Sequence, residues 1–202
     1  MTQDEIIKAG VKAALKLAET GKWGDLTLAQ IADEADLTLK DFHGVADKDA
    51  LSATVEKLFD AGMSDEPVDE DESARTRLFD VIMLRFEVME DVRDGAMSYL
   101  RWRDRSLDGL SLRLKARAQT AKWALACAGL DGSSSVPRGI QIAALGWAIS
   151  QAERAWRQET SADLSRTMAA LDAELIKIEE RAAWIKNRGR KPKPEPADEE
   201  DA

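Results

Sequence analysis

The sequence predicts an all-α protein, and three observations carry that reading. Apolar residues recur at alternating three- and four-residue spacing along nearly the whole chain, as on one face of an α-helix. No stretch alternates apolar and polar residues for long enough to make a strand. The breaks fall where Gly, Pro, Asp and Ser cluster, which are turn residues for stated backbone reasons.

Taken in order, Ile6, Ala9, Val11, Ala13, Ala14, Leu17 and Ala18 make a broad stripe over the first eighteen residues, ended by Gly21 and Gly24. A short second helix holds Leu28, Ile31, Ala32 and Ala35. Thr27 with Gln30 three residues on is a capping-box pattern that satisfies orphan backbone donors at its start. Asp36 follows where a tight turn wants a residue tolerant of left-handed dihedrals. Thr38 can cap a third helix from Leu39 to about Val45, and Asp47 a fourth through Ala50, Leu51, Val55, Leu58 and Phe59. These place one domain at 1–61.

The stretch 62–73 is acidic, carries Pro67 and lacks periodicity, so it reads as a linker. Longer amphipathic helices are expected at about 74–90, 93–106, 109–129, 138–158 and 161–187, giving a second domain at 74–188. Met168, Leu171, Leu175, Ile178, Ala182 and Ile185 form a narrow seam of the kind that packs on one partner helix. The Pro-rich, charged tail 189–202 is expected to be disordered.

Composition narrows the function. The 202 residues are 44% hydrophobic and 33% charged, with a formal charge of -9. Uniform attraction to nucleic acid or to an anionic membrane is excluded, although a local basic patch is not. One cysteine, Cys127, and one histidine, His43, leave no disulfide framework and none of the familiar zinc sites. The first residues are acidic where a signal peptide is basic, and no apolar run approaches ~18 residues, so a cytoplasmic location is expected. The chain has no Gly-rich phosphate loop, nucleophile elbow or paired-ligand motif, and it is read as no enzyme, without cofactor or metal.

The segment from Ile6 to Leu51 resembles the N-terminal domain of the TetR family of bacterial transcriptional regulators. That family carries the signature IA..AGVS…Y..F..K..L. Here Ile31, Ala32, Ala35, Leu37 and Thr38 match its Ile, Ala, Ala, Val and Ser, and Lys48 and Leu51 its closing Lys and Leu. The match covers about residues 5–55. The resemblance implies a helix-turn-helix that reads an operator in double-stranded DNA, a larger helical ligand-binding and dimerisation domain, and a homodimer built on the last two long helices. On the dimer face it places Ile140, Ala144, Trp147, Ala148 and Ala152 with the 168–185 seam. The candidate DNA-contacting residues are Thr27, Gln30, Thr38, Leu39, Lys40, His43 and Lys48.

The segments RLFDVIMLRFEVMEDVRDGAMSYLR and DLSRTMAALDAEL are also similar to lipid-binding ubiquinone-biosynthesis proteins that share the TetR fold. This resemblance implies the alternative of a lipid or isoprenoid carrier that reads no DNA. Local chemistry supports it. The recognition segment is one residue short of the family pattern, and Gly44 inside it costs about 1 kcal/mol relative to Ala. Residues 1–60 hold seven lysines, no arginine and twelve acids, a net of -5. DNA affinity rests largely on phosphate neutralisation.

Five of the six tryptophans lie in the second half. Trp102, Trp123 and Trp147, with Met83, Phe86, Met97 and Tyr99, are the candidate lining of a pocket for a small apolar ligand. Packing in a core or a dimer interface is the competing role for the same side chains. The eight basic residues Arg93, Arg101, Arg103, Arg105, Arg113, Lys115, Arg117 and Lys122 could meet an anionic membrane surface peripherally, or form an ordinary solvated face.

Overall fold

The computed structural model describes residues 1–105 and 107–188. Its elements are α1 (Gln3–Thr20), α2 (Leu28–Glu34), α3 (Leu39–Phe42), α4 (Lys48–Ala61), α5 (Ala74–Asp91), α6 (Arg93–Arg105), α7 (Leu107–Cys127), α8 (Arg138–Trp156) and α9 (Ser165–Arg188). Short 3-10 turns lie at Trp23–Asp25 and Gly62–Ser64, and the described residues include no strand. The expected all-α class is therefore the one the protein has. The tail 189–202 lies outside the described residues.

Local chemistry sets most helix starts. Thr27 accepts from the Gln30 amide while the Gln30 side chain accepts from the Thr27 amide at 2.9 Å, closing the expected capping box. Thr38 and Asp41 do the same for α3, and Asp47 Oδ1 accepts from the Ala50 amide at 2.8 Å to start α4. Asp36 adopts the left-handed conformation, with φ 54°, and lets Leu37 N–H return to the Ala32 carbonyl at 2.8 Å.

Several ends differ from the periodicity. α3 stops at Phe42 rather than near Val45, because His43 is extended and Gly44 turns left-handed at φ 75°. α7 stops at Cys127 rather than 129: Gly129 is left-handed and Leu130 N–H reaches the Leu125 carbonyl at 2.7 Å, a Schellman ending. α9 begins at Ser165 rather than 161, since the Glu159 carboxylate takes the amides of Thr160, Ser161 and Thr167. The acidic linker is anchored at its first turn, where Gly62 and Met63 are buried against α5.

A single core runs through both halves. Val11, Ala14 and Leu15 of α1, Phe42 of α3, and Leu51, Val55 and Phe59 of α4 join one buried cluster with Phe86, Met89, Leu100 and Trp156. α1 lies so close on α6 that a Cβ at Gly95 would collide with the Leu15 carbonyl. Phe42 anchors α3 in the same way, because its ring fills the space beside Gly10. No described helix is long and apolar enough to cross a membrane.

Candidate functional site

The α2–turn–α3 unit sits on α1 and α4 with Ile31, Ala32 and Phe42 turned inward. Thr27, Gln30, Thr38, Lys40 and His43 are exposed, and Leu39 stands 52% exposed. Three of these polar side chains already have local work: Thr27, Gln30 and Thr38 are tied into the caps of α2 and α3. Lys48 is half-buried and its Nζ donates to the Gly24 carbonyl at 2.7 Å. Burial pulls its ammonium below the ordinary lysine value, against the opposing pull of Asp25 and Asp49. Lys40 and His43 are thus the uncommitted candidates at the tip of the unit, on a helix of one turn.

Of the residues proposed to line one pocket, Tyr99 is in ring contact with Trp102 and Met97 borders the same depression as Trp102, while the others are dispersed. Phe86 is fully buried core. Tyr99 is equally buried, edge-on to Trp23 at 5.0 Å, with its hydroxyl donating to Glu56. Trp102 stacks at a tilt on the other face of this group and borders a polar depression beside the end of α1. Met83 borders a separate groove beside the acidic linker. Trp123 is 44% exposed and spends its indole N–H on the Asp60 carbonyl at 3.0 Å. Trp147 is 58% exposed on the outer face of α8. Aromatic character alone does not say which face of a helix a ring occupies, and here the faces diverge.

A more apolar space lies elsewhere. A cleft of about 610 Å³ opens between the start of α5, the end of α7, the loop 129–136, the start of α8 and the second half of α9. Leu78, Leu125, Leu145, Ile178, Ile185 and Trp184 form much of its wall, and among the described residues no Asp or Glu lines it. Its size falls in the ordinary range for small-molecule sites, about 300–1,000 Å³. The Ile178 and Ile185 of the α9 seam were legible in the sequence as apolar positions. Their pairing with the ends of α5 and α7 was not.

The expected basic face over 93–122 is also broken up. Arg103 is fully buried and Arg117 donates to Glu153 at 2.8 Å. Arg93 lies over the Trp156 ring and bonds Glu90 and the carbonyls of Trp156 and Glu159. Arg113 pairs with Asp104. Helical charge spacing did not show that four of the eight are spent inside the fold.

What those arginines build is a buried ionic network that the sequence did not disclose. Arg85 of α5, wholly buried, donates to Asp60 at 2.8 Å and Glu56 at 2.6 Å, both on α4. Arg103 of α6 joins Glu56 to Glu153 of α8, and Thr120 of α7 donates to Asp60. Burial alone would raise the Glu153 pKa, but Arg117, Arg103 and Arg157 hold the carboxyl well below the usual range. Four helices, α5 to α8, are thereby tied to α4, the helix that follows the α2–turn–α3 unit.

No family model, no curated protein and no solved structure matches the chain.

Proposed function

We propose that the protein is a dimeric, TetR-like DNA-binding regulator whose helical second half takes an apolar small ligand. The observation that carries this is the α2–turn–α3 geometry. Asp36 supplies the left-handed turn, Phe42 pins the short α3 to α1, and Leu39, Lys40 and His43 are left facing outward. In a helix-turn-helix dimer, two such units address major-groove segments roughly 34–36 Å apart. The apolar cleft supplies a ligand site, and the network on Glu56 and Asp60 supplies a stiff path from α5–α8 to α4.

A second copy is the partner that the exposed apolar side chains of the last two helices call for. Ile140 and Trp147 on α8, and Ile176 and Trp184 on α9, are between 38% and 59% exposed. Large apolar groups in one region of a surface favour burial against another chain. Ala148 and Ala152, expected on that seam, instead face the protein's own core.

The test is binding of the purified protein to its own upstream DNA, followed by fluorescence anisotropy at two salt concentrations. Saturable binding that weakens steeply with salt is the expected result. Absence of binding at low salt by a folded dimer overturns the regulator reading. The second reading, an apolar-ligand carrier that reads no DNA, then stands. It is favoured by the one-turn α3 and the net -5 of residues 1–60.

A further inference from the structure

We propose that the α5–α7–α8–α9 cleft takes an amphiphile with an anionic head, its apolar body against Leu78, Leu125 and Ile178 and its carboxylate or phosphate on Arg77 and Arg181. This rests on the ligand-responsive half of the reading above and gives that ligand a chemical class.

The other buried and half-buried guanidiniums of this protein are each tied to at least one acceptor, although Nε of Arg75 and Arg157 and Nη1 of Arg117 make no hydrogen bond among the described residues. Arg75 is held by Asp172 and Glu179, Arg85 by Asp60 and Glu56, Arg103 by Glu56 and Glu153, and Arg157 by Asp104 and Glu153. Arg138 donates to the Leu130 carbonyl. Arg77 is half-buried, its Nε is shielded from water, and that Nε has no hydrogen-bond partner among the described residues. Its Nη1 lies against Gly129 on the cleft wall, 3.3 Å from where a Cβ at that position would stand. Arg77 shares a turn of α5 with Ala74 and Leu78, both of which line the cleft. Arg181, which is solvent-exposed, lines the cleft directly and, among the described residues, pairs with no carboxylate.

The Arg77 guanidinium, partly withdrawn from water without a counter-charge, is unfavourably placed, and an anion beside it removes that cost through charge-assisted hydrogen bonds, with the exposed Arg181 adding a second positive charge on the same cleft. The cleft wall contributes no acid that could do this internally. The start of α8, where Pro137 makes no side-chain cap, adds the positive end of a helix dipole to the same wall. A neutral hydrocarbon would fill the apolar wall and leave both arginines unanswered; a small inorganic anion would leave the apolar wall wet. An anionic amphiphile answers both.

The experiment titrates the full chain with laurate, dodecyl phosphate and dodecanol, each below its micellar concentration, by calorimetry and by the fluorescence of the cleft tryptophan Trp184. One or both anions should bind at least about tenfold tighter than dodecanol. The stronger of the two identifies a carboxylate or a phosphate head. In the Arg77→Gln/Arg181→Gln double variant that preference should disappear while dodecanol binding stays. Ala144→Phe, which fills the cleft, should weaken all three.

Equal affinity for the three probes, a preference that survives the double variant, or no binding at all overturns the proposal. So does amphiphile affinity that falls as rising protein concentration drives dimerisation, because the cleft would then be a seat for a second copy. DNA binding is measured on the same samples. DNA bound without any amphiphile binding sinks this inference alone, whereas amphiphile bound without DNA binding sinks the regulator reading alone.

Discussion

Arg103 stands between Glu56 and Glu153, fully buried, with one guanidinium nitrogen on the α4 carboxylate and the other on the α8 carboxylate at 2.7 Å. It therefore ties α4, the helix that follows the α2–turn–α3 unit, to α8, the helix proposed to face a second subunit. Charges withdrawn from water in this way contribute little net stability as a set. Removing one member is costly, because its partners stay buried without it.

Arg103→Met should lower unfolding stability by about 3–5 kcal/mol, read from chemical denaturation. Arg154→Met, on the exposed side of α8, should stay within about 0.5 kcal/mol of the parent. Equal effects of the two would show that burial of the network contributes nothing specific.

Lys40→Glu should abolish retention of upstream DNA and leave the melting temperature unchanged, since Lys40 is exposed on α3. Lys48→Glu should reduce both, because the Lys48 ammonium also holds the Gly24 carbonyl. Unchanged retention in both variants would sink the DNA assignment.

Trp147→Glu should convert a homodimer to a monomer in light scattering at micromolar concentration, with helicity preserved, because the ring is 58% exposed within one subunit. A parent protein that is already monomeric under these conditions would remove the dimer proposal.

Glu159 gives the fold an acid limit. Burial pushes its pKa up, but the Ser161 hydroxyl and the amides of Thr167, Ser161 and Thr160 outweigh that and bring it to about 2. An unfolded glutamate titrates near about 4.3. With the folded value depressed, the stabilisation is fully present above the unfolded value and is lost as pH falls through the folded one. Stability should therefore decline between about pH 5 and pH 2. Glu159→Gln should flatten that decline, as circular dichroism melts across the range would show.

Gly95→Ala should destabilise by at least about 1–3 kcal/mol, the ordinary cost of overpacking, because the added methyl meets the rigid Leu15 carbonyl rather than a movable side chain. A neutral Gly95→Ala in denaturant melts would mean that α1 and α6 can separate without loss.

The helices and their caps were legible because both are local. The Thr27–Gln30 capping box, the Asp47 cap and the turn at Asp36 involve residues within a few positions of one another. α3 and α9 are both shorter than their periodicity predicts, for two different reasons. Gly44 ends the first by its own left-handed backbone. The second is set back by Glu159, whose carboxylate competes for the amides that would begin it.

The candidate ligand site fared differently. Periodicity marks a side chain as apolar and helical, but burial depends on which neighbour the helix meets. So Phe86 and Tyr99 went to the core and Trp147 to the surface, while the cleft was assembled from the ends of α5, α7, α8 and α9. Arginines show the same division. Spacing along α6 and α7 placed them on helices, and only packing decided that Arg103 would be buried between carboxylates 47 and 50 residues away.

The sequence by itself determined the all-α class, the order of the helices and most of their starts, because hydrogen bonds and side-chain caps within a turn act over a few residues. Tertiary structure alone decided the ionic lock on α4, the place of the apolar cleft and the two arginines beside it that pair with no carboxylate among the described residues. Desolvation and charge pairing depend on what surrounds a group in space, and residues far apart in the chain supply those surroundings.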